Sequence, residues 1–314
     1  MKKVAIIGAG ISGLFIANLF KRNKKYQVNI FERNNLINSK EGYGIQLSVN
    51  SIKLLNKIQF DKLENNEKFN PDKINFYSVK NSSKICELNI SDFNTENCKY
   101  TTLKRSSLID FLKKDIEKEI KFNHTISTIE QQDQIVKITF ENNEAYEFDY
   151  LIISDGVFSK SKNLLSKNKI QPKYDDTLAI RGIIPSSSNI ADKKNISLFL
   201  GSNFHYVIYP VSPDGDLNFI AVMKYQLSED EQKDFSLFKD DNFIRKILEK
   251  VPHLNKKFFD SVNDIKIYPV FVSHDFFEIS NNNIHLIGDA FFGFSPSFAQ
   301  GASCLLYTSP SPRD

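Results

Sequence analysis

The sequence predicts an α/β protein in which a Rossmann-like domain with a parallel sheet is combined with a second domain built on an antiparallel β-sheet. Three observations predict it. A glycine-rich turn directly follows the first apolar run, two later apolar runs each end in a glycine and an acid, and β-branched and aromatic stretches lie between them. At 314 residues, the chain is long enough for two domains that each have a hydrophobic core.

The first element is VAIIGAGISGLFIANLFKR, an apolar run followed by a Gly-x-Gly-x-x-Gly turn and a segment with helical spacing. Gly8 permits the tight turn, Gly10 leaves room for a pyrophosphate, and Gly13 lets the helix pack against the strand. Ile11 and Ser12 stand between the last two glycines, at the positive end of the helix, where phosphate binds. This context predicts a dinucleotide site.

A second apolar run, Val28 to Phe31, ends in Glu32, nineteen residues after Gly13. A carboxylate at this position can accept hydrogen bonds from both hydroxyls of an adenosine ribose. An acid rather than an arginine argues against a ribose phosphate here. We count Glu32 and the adjacent Arg33 among the candidate cofactor-binding residues.

Two later runs repeat the pattern of a buried strand that ends in a glycine and an acid. One run leads to Asp155 and Gly156, and the other leads to Gly288 and Asp289. Because parallel strands end at one rim of the sheet, these turns are expected beside the first glycine turn, where open α/β sheets bind ligands.

Composition excludes several classes of function. A formal net charge of +3, with both signs mixed along the chain, gives no footprint for nucleic acid. Cys86, Cys98 and Cys304 match no metal-ligand spacing and suggest no disulfide framework, which favours a reducing, cytoplasmic setting. No apolar run approaches membrane length, and the opening residues suggest a strand rather than an export signal. The expected partners are therefore small molecules.

In this order the motifs resemble those of the single-component FAD-dependent monooxygenases built on the p-hydroxybenzoate hydroxylase fold, over residues 3 to about 303. In that family, GAGISG with Glu32 holds the ADP part of FAD. Arg105 in LKRSSLIDFL matches an arginine that reaches the phosphate or ribitol region of the flavin. DGVFSKSK matches an Asp-Gly signature linked to FAD and nicotinamide binding. GDAFFGFSPSFAQGAS matches the turn that holds the ribitol and, through Pro296 and Gly301, the helix start beside the flavin ring.

The chain departs from the family at three residues. Lys162 stands where the family usually has Arg, and Phe291 and Phe292 replace the Ala-His that usually follows Gly-Asp-Ala. The segment GYGIQLSVNSIKLLNKI resembles the family's approach to the isoalloxazine edge, with Gly42 and Gly44 making it flexible. The alternative interpretation is an ordinary glycine loop.

The resemblance implies an enzyme with FAD as cofactor and NADPH or NADH as electron donor. Through a hydroperoxide on the flavin it would hydroxylate an aromatic or similarly electron-rich small molecule with oxygen. The alternative function is an FAD-dependent reductase of an isoprenoid-type double bond on the same fold. The absence of Trp disfavours a flavin-dependent halogenase. The turn at Gly288 and Asp289 disfavours both a NAD-binding dehydrogenase and a non-catalytic nucleotide-binding module.

The resemblance also implies a discontinuous FAD-binding domain, made of residues 1–70, 100–172 and 275–303, and a substrate domain made of 71–99 and 173–274. In the substrate domain, KINFYSV, LAIRGIIP, ISLFLG, FHYVIYPV and LNFIAVMKY predict one antiparallel sheet that roofs the flavin. The polar stretch EDEQKDFSLFKDDNFIRKILEKV predicts one or two surface helices.

The candidate catalytic residues lie on two of these strands. His205 and Tyr206, with Tyr209 beside them, could relay the proton of a phenolic substrate, and Arg181 lies on a neighbouring strand. The alternative is that each caps a core through one hydrogen bond. Phe291, Phe292 and Phe294 could line an apolar pocket or simply pack. No metal is expected.

The final stretch, CLLYTSPSPRD from Cys304 to Asp314, resembles one reading frame of a sequencing adapter. Pro310 and Pro312 would also stop the helix that begins after Pro296. We therefore expect residues 304–314 to be a non-native tail that forms an exposed, irregular end, and the natural protein to continue with a further helix.

Overall fold

The computed structural model describes residues 1–37, 43–166, 170–188, 192–273, 282–295, 301 and 306. Its strands are β1 Lys2–Ile7, β2 Tyr26–Phe31, β3 Gly44–Leu47, β4 Lys68–Phe69, β5 Lys73–Ser78, β6 Lys84–Asn89, β7 Thr101–Lys104, β8 Ile120–Lys121, β9 Ile126–Gln132, β10 Ile135–Phe140, β11 Ala145–Phe148, β12 Tyr150–Ile153, β13 Lys173–Ile184, β14 Ile196–Gly201, β15 Phe204–Pro210, β16 Leu217–Lys224, β17 Asn263–Val272 and β18 Ile284–Leu286. Its α-helices are α1 Ile11–Lys21, α2 Val49–Leu55, α3 Arg105–Lys114, α4 Lys160–Leu165, α5 Glu229–Lys233, α6 Asp241–Leu248 and α7 Lys256–Phe259.

A parallel sheet with the strand order β18-β12-β1-β2-β8 forms the first layer. Side chains alternate along β1, so Val4 and Ile6 join a core with α1 and α3, whereas Ala5 and Ile7 join a core with the sheet β11-β10-β9. Burial of β1 on both faces explains its continuous apolar sequence. The predicted fold class is confirmed.

A seven-stranded sheet, ordered β17-β13-β16-β15-β14-β5-β6, forms the second large layer. Its pairs are antiparallel apart from β14 and β5, which run parallel. The expectation of a purely antiparallel sheet is therefore wrong at this pair. No hairpin joins these two strands, because between them the chain passes through the parallel sheet, and β14 then enters in the same direction as β5.

Helices occur where the polar stretch after β16 predicts them. Ser228 forms a capping box with Glu231 at the start of α5. Helix α6 buries Phe243 and Ile247 in the core under one face of the seven-stranded sheet. This leaves the opposite face of the sheet free to border a cavity.

The last part of the chain is described only at Gly301 and Leu306. Leu306 is helical and 6% exposed, within the core formed by β1, α1 and α3. At this residue the expectation of an exposed, irregular tail is wrong, since an apolar side chain has taken a buried position. The rest of the tail, like Gly42 and Pro296, lies outside the described residues.

Within the described ranges, no helix has both the length and the apolar character that a membrane-crossing helix needs. The predicted domain boundaries stay a prediction.

Candidate active site

The glycine turn between β1 and α1 has the geometry that a phosphate site requires. Gly8 has φ +99°, and a Cβ built there would lie 2.6 Å from the carbonyl oxygen of Ser154. A Cβ on Gly13 would lie 2.0 Å from the carbonyl oxygen of Gly8. A Cβ on Gly10 would meet no atom within 4 Å. Two of the glycines therefore allow the strand and helix to touch, while the third faces open space.

A cleft of about 350 Å³ opens in front of this turn, at the carboxyl ends of β1, β2 and β12. Ile11, Ser12 and Gly13 are buried behind it at the start of α1. The cleft brings together seven of the residues predicted to bind the cofactor: Gly8, Gly10, Glu32, Arg33, Arg105, Asp155 and Gly156.

Two carboxylates of the cleft already accept hydrogen bonds from the protein. Glu32 accepts from the backbone N–H of Ala9 at 2.9 Å and from both the backbone N–H and the side chain of Asn34, at 3.0 and 2.8 Å. Asp155 accepts from the hydroxyl of Ser159, and from the N–H and hydroxyl of Ser161 at 3.1 and 2.8 Å. Glu32 thus fixes the glycine turn, and Asp155 orders the start of α4.

The cleft is basic at its rim. Arg33, Arg105 and Lys160 line it beside the open space at Gly10. The backbone N–H of Arg105 donates to the carbonyl of Tyr43 at 2.8 Å, which fixes the start of α3. Three cations beside a helix N-terminus suit a ligand with two phosphates.

The turn after β18 presents a partly buried acid. Gly288 has φ +61°, and burial raises the pKa of Asp289 to about 6. No hydrogen-bond donor for Asp289 is found among the described residues. Its carboxyl is thus able to accept a hydrogen bond from a hydroxyl of a ligand. Asp289 lines neither the cleft nor the cavity described next.

A second and larger cavity, of about 720 Å³, lies between the free face of the seven-stranded sheet and the segment formed by β3 and α2. Alternate residues of each strand face it, as a pleated sheet requires. Its apolar lining includes Ile74, Phe76, Leu88, Ile90, Phe93, Ile196, Leu198, Leu200, Val207, Ile220 and Val222. Gly301 also borders it.

Three of the predicted substrate-side residues, Arg181, His205 and Tyr209, face this cavity. Tyr206 does not, because it alternates with His205 along β15 and points to the opposite face. Its ring stacks on Phe199, with 4.3 Å between the ring centroids, inside the core beneath the sheet. The prediction that Tyr206 acts on a substrate is therefore corrected.

One end of the cavity carries a polar group of side chains that no sequence motif predicted. The hydroxyl of Tyr100 donates to Oε1 of Gln46 at 2.8 Å. Burial raises the pKa of Tyr100 to about 12. Burial also raises the pKa of Tyr209, which lies near Gln46 and Arg181. These phenols are therefore neutral near pH 7.

The histidine of the cavity has different surroundings. His205 is half-buried, and burial lowers its pKa. In the part of the chain that the structure describes, its imidazole has no hydrogen-bond partner. A neutral imidazole can donate one hydrogen bond and accept another.

Gly44 lies in a strand that packs tightly, rather than in a flexible loop. Its N–H donates to Oδ1 of Asn218 at 2.6 Å, and a Cβ there would lie 2.6 Å from Cγ1 of Val211. The glycine is required by close approach of β3 to β16. The expectation of flexibility at Gly44 is therefore wrong.

The three departures from the family pattern, Lys162, Phe291 and Phe292, lie away from the cavity lining. Lys162 is buried, and its ammonium donates to the hydroxyl of Ser273 at 3.3 Å. Phe291 packs against the core of the parallel sheet. Phe292 and Phe294 have ring centroids 6.1 Å apart. None of these aromatic residues lines the cavity.

Comparisons with known proteins agree on one fold. No protein-family model matches the chain. It is 24% identical over 225 residues to 3-amino-4-hydroxybenzoate 2-monooxygenase of Streptomyces cremeus, covering 70% of this chain and 56% of that protein. It is 24% identical over 187 residues to 6-hydroxynicotinate 3-monooxygenase of Bordetella bronchiseptica, covering 59% of this chain and 48% of that protein. The chain thus spans about half the length of these relatives.

Among solved structures, Klebsiella pneumoniae HpxO in complex with FAD and uric acid superposes with a TM-score of 0.84 at 16% identity. The superposition covers 97% of this chain and 77% of that one. Likeness at this level establishes the fold.

Proposed function

We propose that this chain, which has the fold of the FAD-dependent monooxygenases related to p-hydroxybenzoate hydroxylase, is itself an FAD-dependent monooxygenase. It would use NADPH or NADH and oxygen to hydroxylate an aromatic or similarly electron-rich small molecule. The observation that carries the proposal is the pairing of a basic glycine cleft with a separate, largely apolar cavity. A dinucleotide with a ring system at one end could place its phosphates in the cleft and its ring system in the cavity.

The residues present fit FAD. Open space at Gly10 accommodates a phosphate, and Arg33 and Arg105 supply charge for the pyrophosphate. Glu32 would accept hydrogen bonds from the adenosine ribose. The carboxyl of Asp289, which has no partner among the described residues, suits a ribitol hydroxyl. Ile11, Ser12 and Gly13 support the turn from α1, and Asp155 and Gly156 close the cleft from β12. We also propose Gly288, Pro296 and Gly301 as FAD-binding residues, because they match the family's motif.

When bound, FAD would accept a hydride from NAD(P)H and activate oxygen. The chain's own residues would bind and orient the substrate. The apolar wall would exclude water, and Tyr209, beside the hydrogen-bonded pair of Gln46 and Tyr100, would orient a phenol. Arg181 brings a positive charge to the same cavity, which favours a phenolate or a carboxylate.

The alternative, a flavin-dependent reductase, has less support. The matched relatives carry the names of monooxygenases.

We also propose the domain boundaries given above, with residues 71–99 and 173–274 as the substrate domain. Cys86 and Cys98 are free thiols, which supports a reducing, cytoplasmic setting.

The test begins with FAD. The purified chain should retain or take up FAD, and a responsive phenol should accelerate NAD(P)H oxidation and acquire an oxygen atom from labelled oxygen gas. Product that forms without oxygen would favour the reductase. A chain that takes up no FAD at any concentration contradicts the proposal.

A further inference from the structure

We propose that the cavity selects an extended, fused-ring aromatic substrate, and that His205 binds a polar group at the end of that substrate remote from Tyr209. The proposal rests on the proposed function, because it takes the reaction from there and adds the substrate class. Binding itself can be measured without turnover.

The positions of the two residues on β15 set the length of the ligand. His205 and Tyr209 lie on the same face and are four residues apart. At about 3.3 Å per residue, their Cα atoms are separated by roughly 13 Å. A single six-membered ring cannot reach both side chains, whereas two or three fused rings with a polar substituent can.

The Tyr209 end is the end near β3. Tyr209 pairs with Asn218 across the sheet, and Asn218 accepts the N–H of Gly44. The hydroxyl of Thr102 donates to the carbonyl of Pro210 at 2.6 Å, which ties β7 to the same end of β15. His205 therefore lies at the far end from the segment that resembles the flavin approach.

Between the two ends the wall is apolar. Val207 lies between His205 and Tyr209 on β15, Ile220 and Val222 lie beside them on β16, and Leu198 lies on β14. These side chains offer no hydrogen bonds, so the middle of the ligand must be apolar. A polar–apolar–polar sequence of contacts describes a fused aromatic skeleton with oxygen substituents at both ends.

The size and mouth of the cavity agree with such a ligand. Its volume of about 720 Å³, part of which the flavin ring would occupy, compares with roughly 150 Å³ for a protein cavity that holds one benzene ring. At the mouth, Leu200, which pairs with His205 across β14 and β15, is 41% exposed. A ligand that extends past His205 would cover this apolar side chain.

His205 has the chemistry for the remote contact. It is half-buried, and among the described residues it has no hydrogen-bond partner. A neutral imidazole can serve a phenolic hydroxyl as acceptor or a quinone carbonyl as donor. A polar side chain in an apolar wall is otherwise costly, and a ligand group that pairs with it offsets that cost.

The experiment compares two probes by equilibrium dialysis against the FAD-loaded chain: 2,6-dihydroxyanthraquinone, which has three fused rings and a hydroxyl at each end, and salicylate, which has one ring. We expect the anthraquinone to bind at least about tenfold more tightly than salicylate. His205→Leu should weaken anthraquinone binding by about tenfold and change salicylate binding less than twofold, while His205→Gln should retain most of the anthraquinone affinity. Tyr206→Phe, on the same strand but the opposite face, is the matched control and should change neither.

Equal binding of the two probes by the wild-type chain would overturn the proposal without use of any variant. An equal loss for both probes in His205→Leu would also overturn it, since that result indicates a general structural role. The proposed function is tested separately by oxygen-labelled product. If the wild type and His205→Leu both hydroxylate salicylate and neither binds the anthraquinone, the monooxygenase stands and this inference fails.

Discussion

At the residue scale, Gly10 and Gly13 belong to one motif but serve different purposes. A Cβ on Gly13 would meet the carbonyl oxygen of Gly8 at 2.0 Å, whereas a Cβ on Gly10 would meet no atom within 4 Å. Gly13 is thus needed to fold the protein, whereas Gly10 is needed only for a ligand that fills the space in front of it.

We therefore expect Gly13→Ala to lower the free energy of unfolding by about 3 kcal/mol or more, because backbone must move. Gly10→Ala should change it by less than about 1 kcal/mol and yet weaken FAD binding strongly. Urea unfolding and FAD titration measure the two quantities. If Gly10→Ala bound FAD as well as the wild type, the phosphate would not lie at this turn.

Asp289 supports a prediction that depends on pH. Its folded-state pKa is raised from 3.8 to about 6 by burial, so between these values the folded state holds a proton that the unfolded state lacks. Stability from this group is therefore present below about pH 4 and is lost as the pH rises through 6.

Asp289→Asn removes the loss of folding stability that accompanies ionisation of Asp289 as the pH rises. At pH 7 and without FAD, the variant should be about 1 to 2 kcal/mol more stable than the wild type, after allowance for partial exposure. At pH 4 the difference should vanish. FAD affinity at pH 7 should fall about 10- to 100-fold, because a charge-assisted hydrogen bond is lost. Denaturation at both pH values, with FAD titration at pH 7, measures this. A variant less stable than the wild type at pH 7 would contradict the assignment.

The sequence could place several cleft residues near one another because a glycine turn is a local feature. Spacing alone relates Gly8, Gly10 and Glu32, and the structure brings them together. Gln46 and Tyr100 could not be predicted in this way, since their contact joins β3 to residue 100 through the tertiary fold. Tyr206 was misassigned because adjacent strand residues point to opposite faces, and the buried face was not predicted.

At the element scale, a buried hydrogen bond joins β3 to the seven-stranded sheet. Asn218 is 1% exposed and accepts the N–H of Gly44 at 2.6 Å. Without this side chain, a buried donor has no acceptor, and the strand that borders the cavity loses its anchor.

Asn218→Ala should therefore lower the free energy of unfolding by about 1 to 3 kcal/mol. Asn89→Ala, on the exposed edge strand β6, is the control and should change it by less than about 0.5 kcal/mol. Urea unfolding compares the two variants. Equal stabilities would mean that β3 is held by other contacts.

Strand positions were predictable, but their pairing was less so. The β-branched and aromatic stretches predicted β5, β13, β14, β15 and β16. The parallel β14–β5 pair could not be predicted from them, because strand direction depends on the path of the chain through the other sheet. The close packing of Gly44 likewise depends on β16, which is distant in the sequence.

At the scale of the whole molecule, the cleft and the cavity are lined by different residues. A ligand that fills only the cleft should therefore stabilise the fold less than a ligand that reaches both. Binding to the folded state raises stability by about 2.7 kcal/mol when the ligand is present at 100 times its Kd.

We expect FAD to raise the midpoint of thermal unfolding more than ADP does at equal concentration, and NAD⁺ to raise it least. Differential scanning fluorimetry, with the flavin signal subtracted by a protein-free blank, measures the three shifts. An equal effect of ADP and FAD would indicate that the flavin half makes no contact. A larger effect of NAD⁺ would favour a dehydrogenase.

The strand order of the parallel sheet also has a consequence for how the protein is made. Strand β1 leaves the ribosome before the other strands of its sheet. Its neighbour β12 is synthesised about 150 residues later, and β18, which pairs with β12, follows only at Ile284–Leu286. At 5 to 20 residues per second, roughly 14 to 55 s separate the synthesis of Ile7 and Ile284. One edge of β1 has no partner until β12 is made, and the outer edge of β12 then has no partner until β18 is made. Nascent chains of this protein are therefore expected to depend on chaperones until β18 has been translated.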